Sequence, residues 1–327
     1  MTFRSFQHAF LLVRSASRHV PVWGRRLQPG GCLPSIHGQT RRWTFSLDSG
    51  ESWVFAVSAG LRHNCALRAD GRLVCFGDNQ RGQCDVPADL GPVLVVSAGF
   101  RHTCAVRSDS QLVCFGHNEH GQCDVPAGLG QVLAISAGIL HTCAVRSDRQ
   151  LVCFGHNEHG QCDVPADLGP VLAVSAGFHH TCAVRSDGQL VCFGHNEDGQ
   201  CDVPVDVGSV LAVSAGQSHT CAVRAGGQLV CFGRNEDGQC DVPVDMGPVL
   251  AVSAGPSHTC AVRADGQLVC FGYNGDGQCD VPVDMGAVLA VSAGYNHNCA
   301  VRSDGQLVCF GHNGLGQCYV PADLASV

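Results

Sequence analysis

Residues 93–126 read Val-Leu-Val-Val-Ser-Ala-Gly-Phe-Arg-His-Thr-Cys-Ala-Val-Arg-Ser-Asp-Ser-Gln-Leu-Val-Cys-Phe-Gly-His-Asn-Glu-His-Gly-Gln-Cys-Asp-Val-Pro. The same phrase recurs every 39 residues, and seven copies between Val57 and Gln317 keep register to the residue. Each copy carries one His at the same position: His63, His102, His141, His180, His219, His258 and His297. Self-similarity at a fixed period of roughly 20–50 residues is typical of solenoids, propellers and arrays. The repeat therefore decides the fold.

Each copy contains three short apolar runs separated by Gly, Asn, Asp and Pro. The runs are too short for helices, and their β-branched residues favour strands. A proline near the end of each copy would interrupt a central ladder, so that segment is predicted to be a loop or an edge. These prolines are Pro87, Pro126, Pro165, Pro204, Pro243, Pro282 and Pro321.

The second and third runs predict a β-hairpin. In the fourth copy the residues Ser186-Asp187-Gly188 stand between two strands, and such a loop with Gly in the left-handed position is a common hairpin connection. The register that follows pairs Arg185 with Gln189, Val184 with Leu190, Ala183 with Val191 and Cys182 with Cys192. Both faces of this hairpin are apolar up to the Arg, so we expect both to be buried between neighbouring sheets.

Three antiparallel strands in each of seven units predict an all-β fold, a seven-bladed β-propeller. An open β-solenoid is the alternative. Its coils are usually shorter and parallel, whereas the hairpin signal here is antiparallel. The propeller is therefore the preferred interpretation.

The charge distribution divides the chain into residues 1–47 and residues 48–327. The first segment contains seven Arg and no acid, while the second carries 13 Arg against 28 Asp and Glu. An arm rich in Arg and Ser and free of acids predicts a transit peptide for a mitochondrion or another organelle. A disordered tail on a cytoplasmic protein is the alternative, and secretion fits less well because the apolar run of Ala9–Val13 is short. No stretch is long enough to span a membrane.

The phrase Ala-Gly-x-x-His-Thr-Cys-Ala-Val-Arg-Ser-Asp-Gly-Gln-Leu-Val-Cys-Phe-Gly-x-Asn-x-x-Gly-Gln resembles the repeat of the regulator-of-chromosome-condensation family. The resemblance covers residues 53–321 and implies a seven-bladed propeller. The short period is similar to that of compact members with three-stranded blades. Two departures are Phe76 and its equivalents in place of Trp, and Cys84 and its equivalents in place of Leu.

Cysteine is abundant, with 22 residues of which 21 belong to the repeats. The hairpin register places two Cys of each copy directly opposite, within the range of a disulfide. The candidate bridges are Cys65–Cys75, Cys104–Cys114, Cys143–Cys153, Cys182–Cys192, Cys221–Cys231, Cys260–Cys270 and Cys299–Cys309. In a reducing compartment the same residues would be small buried hydrophobes. The lack of a secretory signal favours thiols.

The repeated His and Cys do not predict a metal site or a catalytic site. His63 and Cys65 lie two residues apart on one strand and cannot easily chelate one ion together, and no Cys-x-x-Cys is present. We expect each repeated His to cap a turn through a hydrogen bond to the backbone. No unique Asp, Glu or Ser breaks the symmetry to complete a nucleophilic site, so no catalytic residue and no cofactor is predicted.

Comparison of the copies shows which positions differ. The pair before each repeated His varies most, and a second varied set flanks the fixed Asn, from Asp78 in the first copy to His312 in the last. Turns supported by a rigid scaffold are common binding sites. The candidate partner-binding residues are Phe100, Arg101, Ile139, Leu140, Phe178, His179, Tyr295 and Asn296, several of which are expected to be exposed apolar anchors. The repeated acids from Asp85 to Asp280 are expected to form a solvated ring.

These observations predict a monomeric, non-enzymatic propeller that binds a protein partner. An acidic repeat body argues against nucleic-acid binding. The family resemblance implies two alternatives, a nucleotide-exchange regulator of a small GTPase and a propeller associated with ubiquitin-ligase assemblies. A thiol-rich metal or redox protein is a further alternative.

Overall fold

The computed structural model describes residues 53–324. The predicted N-terminal arm, its organellar address, Cys32 and the domain boundary at residue 48 lie outside the described residues.

Each repeat folds into one antiparallel sheet of three consecutive strands, called a blade here and numbered in chain order. The first strands are β1 (Val54–Ala59), β4 (Val93–Ala98), β7 (Val132–Ala137), β10 (Val171–Ala176), β13 (Val210–Ala215), β16 (Val249–Ala254) and β19 (Val288–Ala293). The second strands are β2 (His63–Arg68), β5 (His102–Arg107), β8 (His141–Arg146), β11 (His180–Arg185), β14 (His219–Arg224), β17 (His258–Arg263) and β20 (His297–Arg302). The third strands are β3 (Leu73–Gly77), β6 (Leu112–Gly116), β9 (Leu151–Gly155), β12 (Leu190–Gly194), β15 (Leu229–Gly233), β18 (Leu268–Gly272) and β21 (Leu307–Gly311). The predicted seven-bladed, all-β propeller is confirmed.

The hairpin of each blade has the predicted register. In blade 4, Cys182 pairs with Cys192 and Val184 with Leu190. Gly188 takes a positive φ of 85°, as the three-residue loop requires. Blades 2 and 3 place Ser110 and Arg149 at this position, and both residues adopt a φ of 66°. The turn is thus formed even where a side chain opposes the left-handed conformation.

The apolar cores lie between neighbouring blades. The core between blades 3 and 4 contains Val145 and Leu151 from one blade and Val171 and Ala183 from the next. Leu168, from the loop that joins the two blades, is buried in the same core. Because the second strand is covered on both sides, five of its six residues in each blade are buried. This confirms the expectation that both faces of the hairpin are buried.

The ring closes without exchange of strands, since β19, β20 and β21 of blade 7 all come from one repeat. Leu324 near the end of the described chain packs between blades 7 and 1, in the place that Leu168 takes between blades 3 and 4. The Ala59 amide donates to Ser292 Oγ at 2.8 Å. The same Ala-to-Ser bond joins the other neighbouring blades, as in the bond of Ala98 to Ser58 at 2.9 Å. The closing contact is therefore chemically equivalent to the others.

The first strands surround a central channel of about 140 Å³, lined mostly by Ser, Ala and Gly, together with Leu61, Ile139, Phe178 and Pro256. Residues 53–324 contain no helix that could cross a membrane.

Candidate functional site

A side-chain relay connects each blade with the next. His63 Nε2 of blade 1 lies 2.9 Å from Thr103 Oγ1 of blade 2. The Thr103 hydroxyl donates to the Gln83 carbonyl of blade 1 at 2.8 Å. All three residues are fully buried. Asn298 and Asn64 replace Thr on either side of blade 7. The side-chain oxygen of each Asn accepts from the His of the preceding blade, and its side-chain nitrogen donates to the Gln carbonyl of that blade.

The relay fixes the protonation state of the repeated His. The single hydroxyl proton of Thr103 goes to the Gln83 carbonyl, so Thr103 can only accept from His63, and His63 Nε2 must carry a proton. Burial lowers the pKa of His63 to about 4 and that of His102 to about 3. An imidazolium here would be a charge buried away from water, and at His63 this cost outweighs the attraction of Asp78. Each repeated His is therefore neutral at pH 7.

A glycine next to each repeated His allows this close packing. A Cβ on Gly138 would lie 2.5 Å from the carbonyl oxygen of Gly177 and 2.6 Å from Cε1 of His141. Real Cβ atoms do not come so close to other heavy atoms, so only Gly fits at this position. The Gly in the Ala-Gly pair of each repeat is thus required for neighbouring blades to pack this closely.

The sequence-based role of the His is corrected in one respect. The prediction of a backbone turn cap is wrong, because the partner of His Nε2 is a side chain of the next blade, as in the pair His141 and Thr181 at 3.0 Å. The missed signal is the residue after each His, which is always Thr or Asn. A polar residue on a fully buried strand needs a partner, and a side-chain oxygen can serve the neighbouring blade.

The opposing Cys of each hairpin meet as the register predicts. In every pair the Cα atoms are 4.1 Å apart and the two Sγ atoms are in bonding contact. Cys182 is fully buried, as are its equivalents on the second strands. Oxidised pairs in the native protein are our proposal, in place of the thiols that the sequence favoured.

The third Cys of each repeat is a half-buried thiol. Cys123 Sγ donates to the carbonyl of His117 at 3.4 Å. Burial, together with the neighbouring Asp124, raises the pKa of Cys123 to about 12. A thiol with so high a pKa is a poor nucleophile at neutral pH. These positions therefore do not favour thiol-based redox chemistry.

The varied turns of each repeat lie on one face of the ring. This surface, called the loop face here, consists of residues 60–62 and 78–82 of blade 1 and their equivalents in the other blades. The His117 amide donates to the Arg101 carbonyl at 2.8 Å, which joins the two turns of blade 2. The Phe100 amide donates to the Gly138 carbonyl of the next blade at 3.2 Å. Both turns thus join the scaffold through backbone groups, and some copies add a side-chain bond, as between His117 Nδ1 and Gln122 Nε2 at 2.9 Å.

The candidate partner-binding residues all occupy the first of these turns. Tyr295 is exposed, with 44% of its surface accessible. Phe100, Arg101, Ile139, Leu140, Phe178, His179 and Asn296 are half-buried. Of the residues expected to be exposed apolar anchors, Tyr295 is exposed, while Phe100, Ile139, Leu140 and Phe178 are only partly exposed. The Arg101 guanidinium lies over the Phe100 ring at 4.8 Å, which leaves a flat aromatic and cationic surface.

A cleft of about 440 Å³ opens on the loop face where blade 7 meets blade 1. Its apolar lining includes Leu61, Tyr295 and Leu315, and its polar lining includes Arg62 and Asp276. This combination of apolar walls and a few polar groups is typical of a pocket for a ligand or a partner side chain.

Blades 2–4 carry a group of histidines on the loop face that sequence reasoning did not bring together. The group comprises His117, His120, His156, His159, His179 and His195. The ring centroid of His159 lies 4.9 Å from those of both His179 and His195. The signal that was missed is the motif His-x-x-His, which is present in both repeat 2 and repeat 3. The ring places these two motifs on neighbouring blades.

Within residues 53–324, no three His, Cys, Asp or Glu side chains already stand in the arrangement of a metal's ligands. The repeated Asp, expected as a solvated ring, has a structural contact: Asp124 Oδ1 accepts from Asn118 Nδ2 at 2.7 Å. The Asn118 side-chain oxygen accepts from the Cys123 amide at 2.8 Å. These exposed Asp residues therefore hold the Asn turn of the loop face.

The family model described as Regulator of chromosome condensation (RCC1) repeat matches the chain in seven places. The matched residues are 56–83, 93–122, 132–161, 171–200, 210–239, 249–278 and 288–317. These matches confirm the resemblance found in the sequence. No curated protein sequence matches the chain.

Solved structures share the fold at low identity. The ectodomain of the receptor kinase CR4 from Physcomitrella patens is 24% identical with a TM-score of 0.69, over 80% of this chain and 73% of that one. The CRINKLY WD40 ectodomain of the Arabidopsis thaliana receptor kinase ACR4 is 23% identical with a TM-score of 0.66, over 83% of this chain and 100% of that one. Prp20p from Saccharomyces cerevisiae, described with its binding to Gsp1p and histones, is 15% identical with a TM-score of 0.65, over 84% and 86%. These likenesses concern the fold alone.

Proposed function

The chain belongs to the Regulator of chromosome condensation (RCC1) repeat family, and we propose that it is a non-enzymatic propeller scaffold that binds a protein partner through its loop face. The observation that carries this proposal is that backbone groups join the varied turns to the ring in every blade, while side-chain bonds occur only in some copies, as between His195 and Gln200. The ring holds Phe178 through a bond from its amide to the Gly216 carbonyl, and His179 through a bond from the His195 amide to its carbonyl. Stability therefore places little constraint on these side chains.

The loop face has the chemistry of a protein interface. Half-buried aromatic and Arg side chains contribute most of the binding energy in many interfaces. Phe100 and Arg101 form such a pair on blade 2. The cleft between blades 7 and 1, with Tyr295 at its edge, offers a place for one protruding side chain of a partner.

The repeated polar residues support a scaffold rather than an enzyme. The buried relay occurs between all neighbouring blades, with Asn in place of Thr on either side of blade 7, so it offers no single place where a substrate could bind. The relay also leaves the Nε2 proton of His63 committed to Thr103. A general base needs a free lone pair within reach of a substrate, and a substrate cannot reach the fully buried His63.

Cross-linked partner capture with blade-to-blade swaps tests this proposal. Phe178→Gln with His179→Ser gives blade 4 the turn that blade 5 carries at Gln217 and Ser218. Tyr295→Gln gives blade 7, at the edge of the cleft, the residue that blade 5 carries at Gln217. We expect both variants to melt like the parent protein and to lose the captured partner at least about tenfold, as for hot-spot residues.

The matched control lies on the opposite end of the blades, at the hairpin turns. Val205 is fully exposed in the loop that joins blade 4 to blade 5, next to that end, and four other blades carry Ala at the same position. Val205→Ala is expected to keep the partner. Equal capture by the parent, the loop-face variants and this control would reject the loop face as the binding surface. If the captured protein is a small GTPase, its rate of nucleotide release decides whether the propeller acts as an exchange regulator.

A further inference from the structure

The histidine group on the loop face contains a pair of imidazoles whose ring nitrogens are not used in hydrogen bonds. Among residues 53–324, the rings of His159 and His179 make no hydrogen bond, and Nδ1 of His179 is buried without a partner. Their ring centroids are 4.9 Å apart. A buried nitrogen without a partner is costly, which suggests that a ligand completes it.

The third nearby ring is that of His195. Its centroid lies 4.9 Å from that of His159 and 6.4 Å from that of His179. Zinc binds imidazole nitrogen at about 2.0–2.1 Å in tetrahedral geometry, so the centroids of two ligand rings stand about 5 Å apart. The observed spacings approach this value in two of three cases. His159 is exposed and His195 is half-buried, and the site requires both side chains to turn so that the ring nitrogens converge.

We propose that the loop face of blades 3 and 4 binds one divalent transition-metal ion of the zinc class, with His159 and His179 as its core ligands and His195 as the third. Neutral imidazole prefers zinc, copper or nickel to magnesium or calcium. This site differs from the repeated His63, Cys65, Cys75 and Cys84 set, which remains unsuited to a metal. His179 also belongs to the turn assigned to the protein partner, so zinc binding is measured without that partner.

The surrounding charges are compatible with a cation. Glu158 lies close enough to act on the His179 ring. Glu197 faces His195 Nε2 at 3.5 Å and is largely exposed. These carboxylates favour a dication at this point of the surface.

His195 is expected to contribute less than the other two ligands. Its Nδ1 accepts from Gln200 Nε2 at 2.9 Å. Coordination through Nε2 would move the His195 proton to Nδ1, where it would face the Gln200 amide N–H. Gln200 would then have to turn and give up the bond that its Oε1 receives from the Asp198 amide at 3.0 Å. This rearrangement opposes binding through His195.

Competition of Zn²⁺ alone against a chromogenic chelator at pH 7.5 tests the site in the full chain. His179→Ser and His159→Leu use residues that blades 5 and 7 carry at Ser218 and Leu315, so the fold should tolerate them. We expect one strongly bound zinc, a loss of affinity of at least about tenfold in each variant, and no specific binding in the double variant. His195→Tyr, which copies Tyr273 of blade 6, should cause a smaller loss.

The matched control is His312→Tyr, because His312 has the same bond to its Gln but belongs to blade 7. This variant should bind zinc as the parent does. Zinc-edge X-ray absorption should show nitrogen and oxygen neighbours only. Equal zinc binding by the parent and the double variant, a sulfur atom bonded to the zinc, or a larger loss at His195 than at His159 would each contradict the proposal.

Discussion

Blades 4 and 5 are nearly the same molecule twice. Between residues 171–208 and 210–247 they differ at six positions, and none of these lies on a strand. Three differences are on the loop face, where Phe178, His179 and His195 correspond to Gln217, Ser218 and Arg234. The comparison teaches that a residue's place in the repeat decides how much it may change.

The reason is physical and lies in the type of contact. His180 and His219 occupy the same buried relay, and each bonds a Thr side chain of the next blade. A change there would leave a buried polar group without its partner. Phe178 contributes only its amide to the ring, so replacing its side chain breaks no bond between blades.

Acid is expected to have the largest effect, because it acts on the buried relay in all blades at once. Burial lowers the pKa of each repeated His to about 3 or 4. Free His titrates near 6.5, so the unfolded chain binds more protons below that pH and stability falls from about pH 6.5 towards pH 4. Seven such His at about 1.4 kcal/mol each per pH unit amount to about 10 kcal/mol at pH 5.5.

Urea unfolding at pH 7.5, 6.5 and 5.5 measures this loss. Carboxylates titrate at lower pH and contribute little above pH 5. A free energy of unfolding that stays constant between pH 7.5 and 5.5 would show that the His relay is not neutral or not intact.

Gly138→Ala is expected to have the next largest effect, since it tests one contact between blades. The added Cβ would meet the Gly177 carbonyl and the His141 ring, at 2.5 and 2.6 Å. We expect a loss of about 3 kcal/mol of unfolding free energy, as for severe overpacking. Gly226→Ala is the control, because nothing lies within 4 Å of its Cβ position. Equal stability of the two variants in chemical denaturation would contradict the close packing at Gly138.

The cysteine pairs should have an intermediate effect within each blade. If the Cys182–Cys192 pair is oxidised, as we propose, its sulfurs close a loop with a sequence separation of 10. Replacing both residues with Ala should cost about 2–3 kcal/mol. Intact mass with and without reductant provides the direct measurement, since each bridge lowers the mass by two hydrogens. An unreduced mass that already contains every thiol hydrogen would contradict the bridges.

The hairpin turns should show the smallest effect, and with opposite sign. Ser110 and Arg149 hold a φ of 66° where other blades have Gly. Ser110→Gly and Arg149→Gly are each expected to gain about 0.5–1 kcal/mol, because Gly adopts this conformation without a Cβ penalty. The reverse change, Gly266→Ser, should cost a similar amount. Thermal denaturation that ranks these variants in the opposite order would contradict the turn assignment.

The fold could be predicted almost completely from the sequence, because period, strand length and hairpin register are local. The pairing of Cys182 with Cys192 follows from one turn. The partner of His63 could not be predicted in this way, since Thr103 is 40 positions away and belongs to another blade. The histidine group was missed for the same reason: His159 and His179 meet only when the ring brings two blades together.

One measurement tests the division between scaffold and binding surface most directly. A variant in which every loop-face turn carries the side chains of blade 5 keeps the relay, the glycines and the cysteine pairs of all blades. We predict that it unfolds within about 0.5 kcal/mol per changed turn of the parent, as surface substitutions do, and that it captures none of the parent's protein partner. A variant that unfolds far more easily, or one that still captures the partner, would contradict the account.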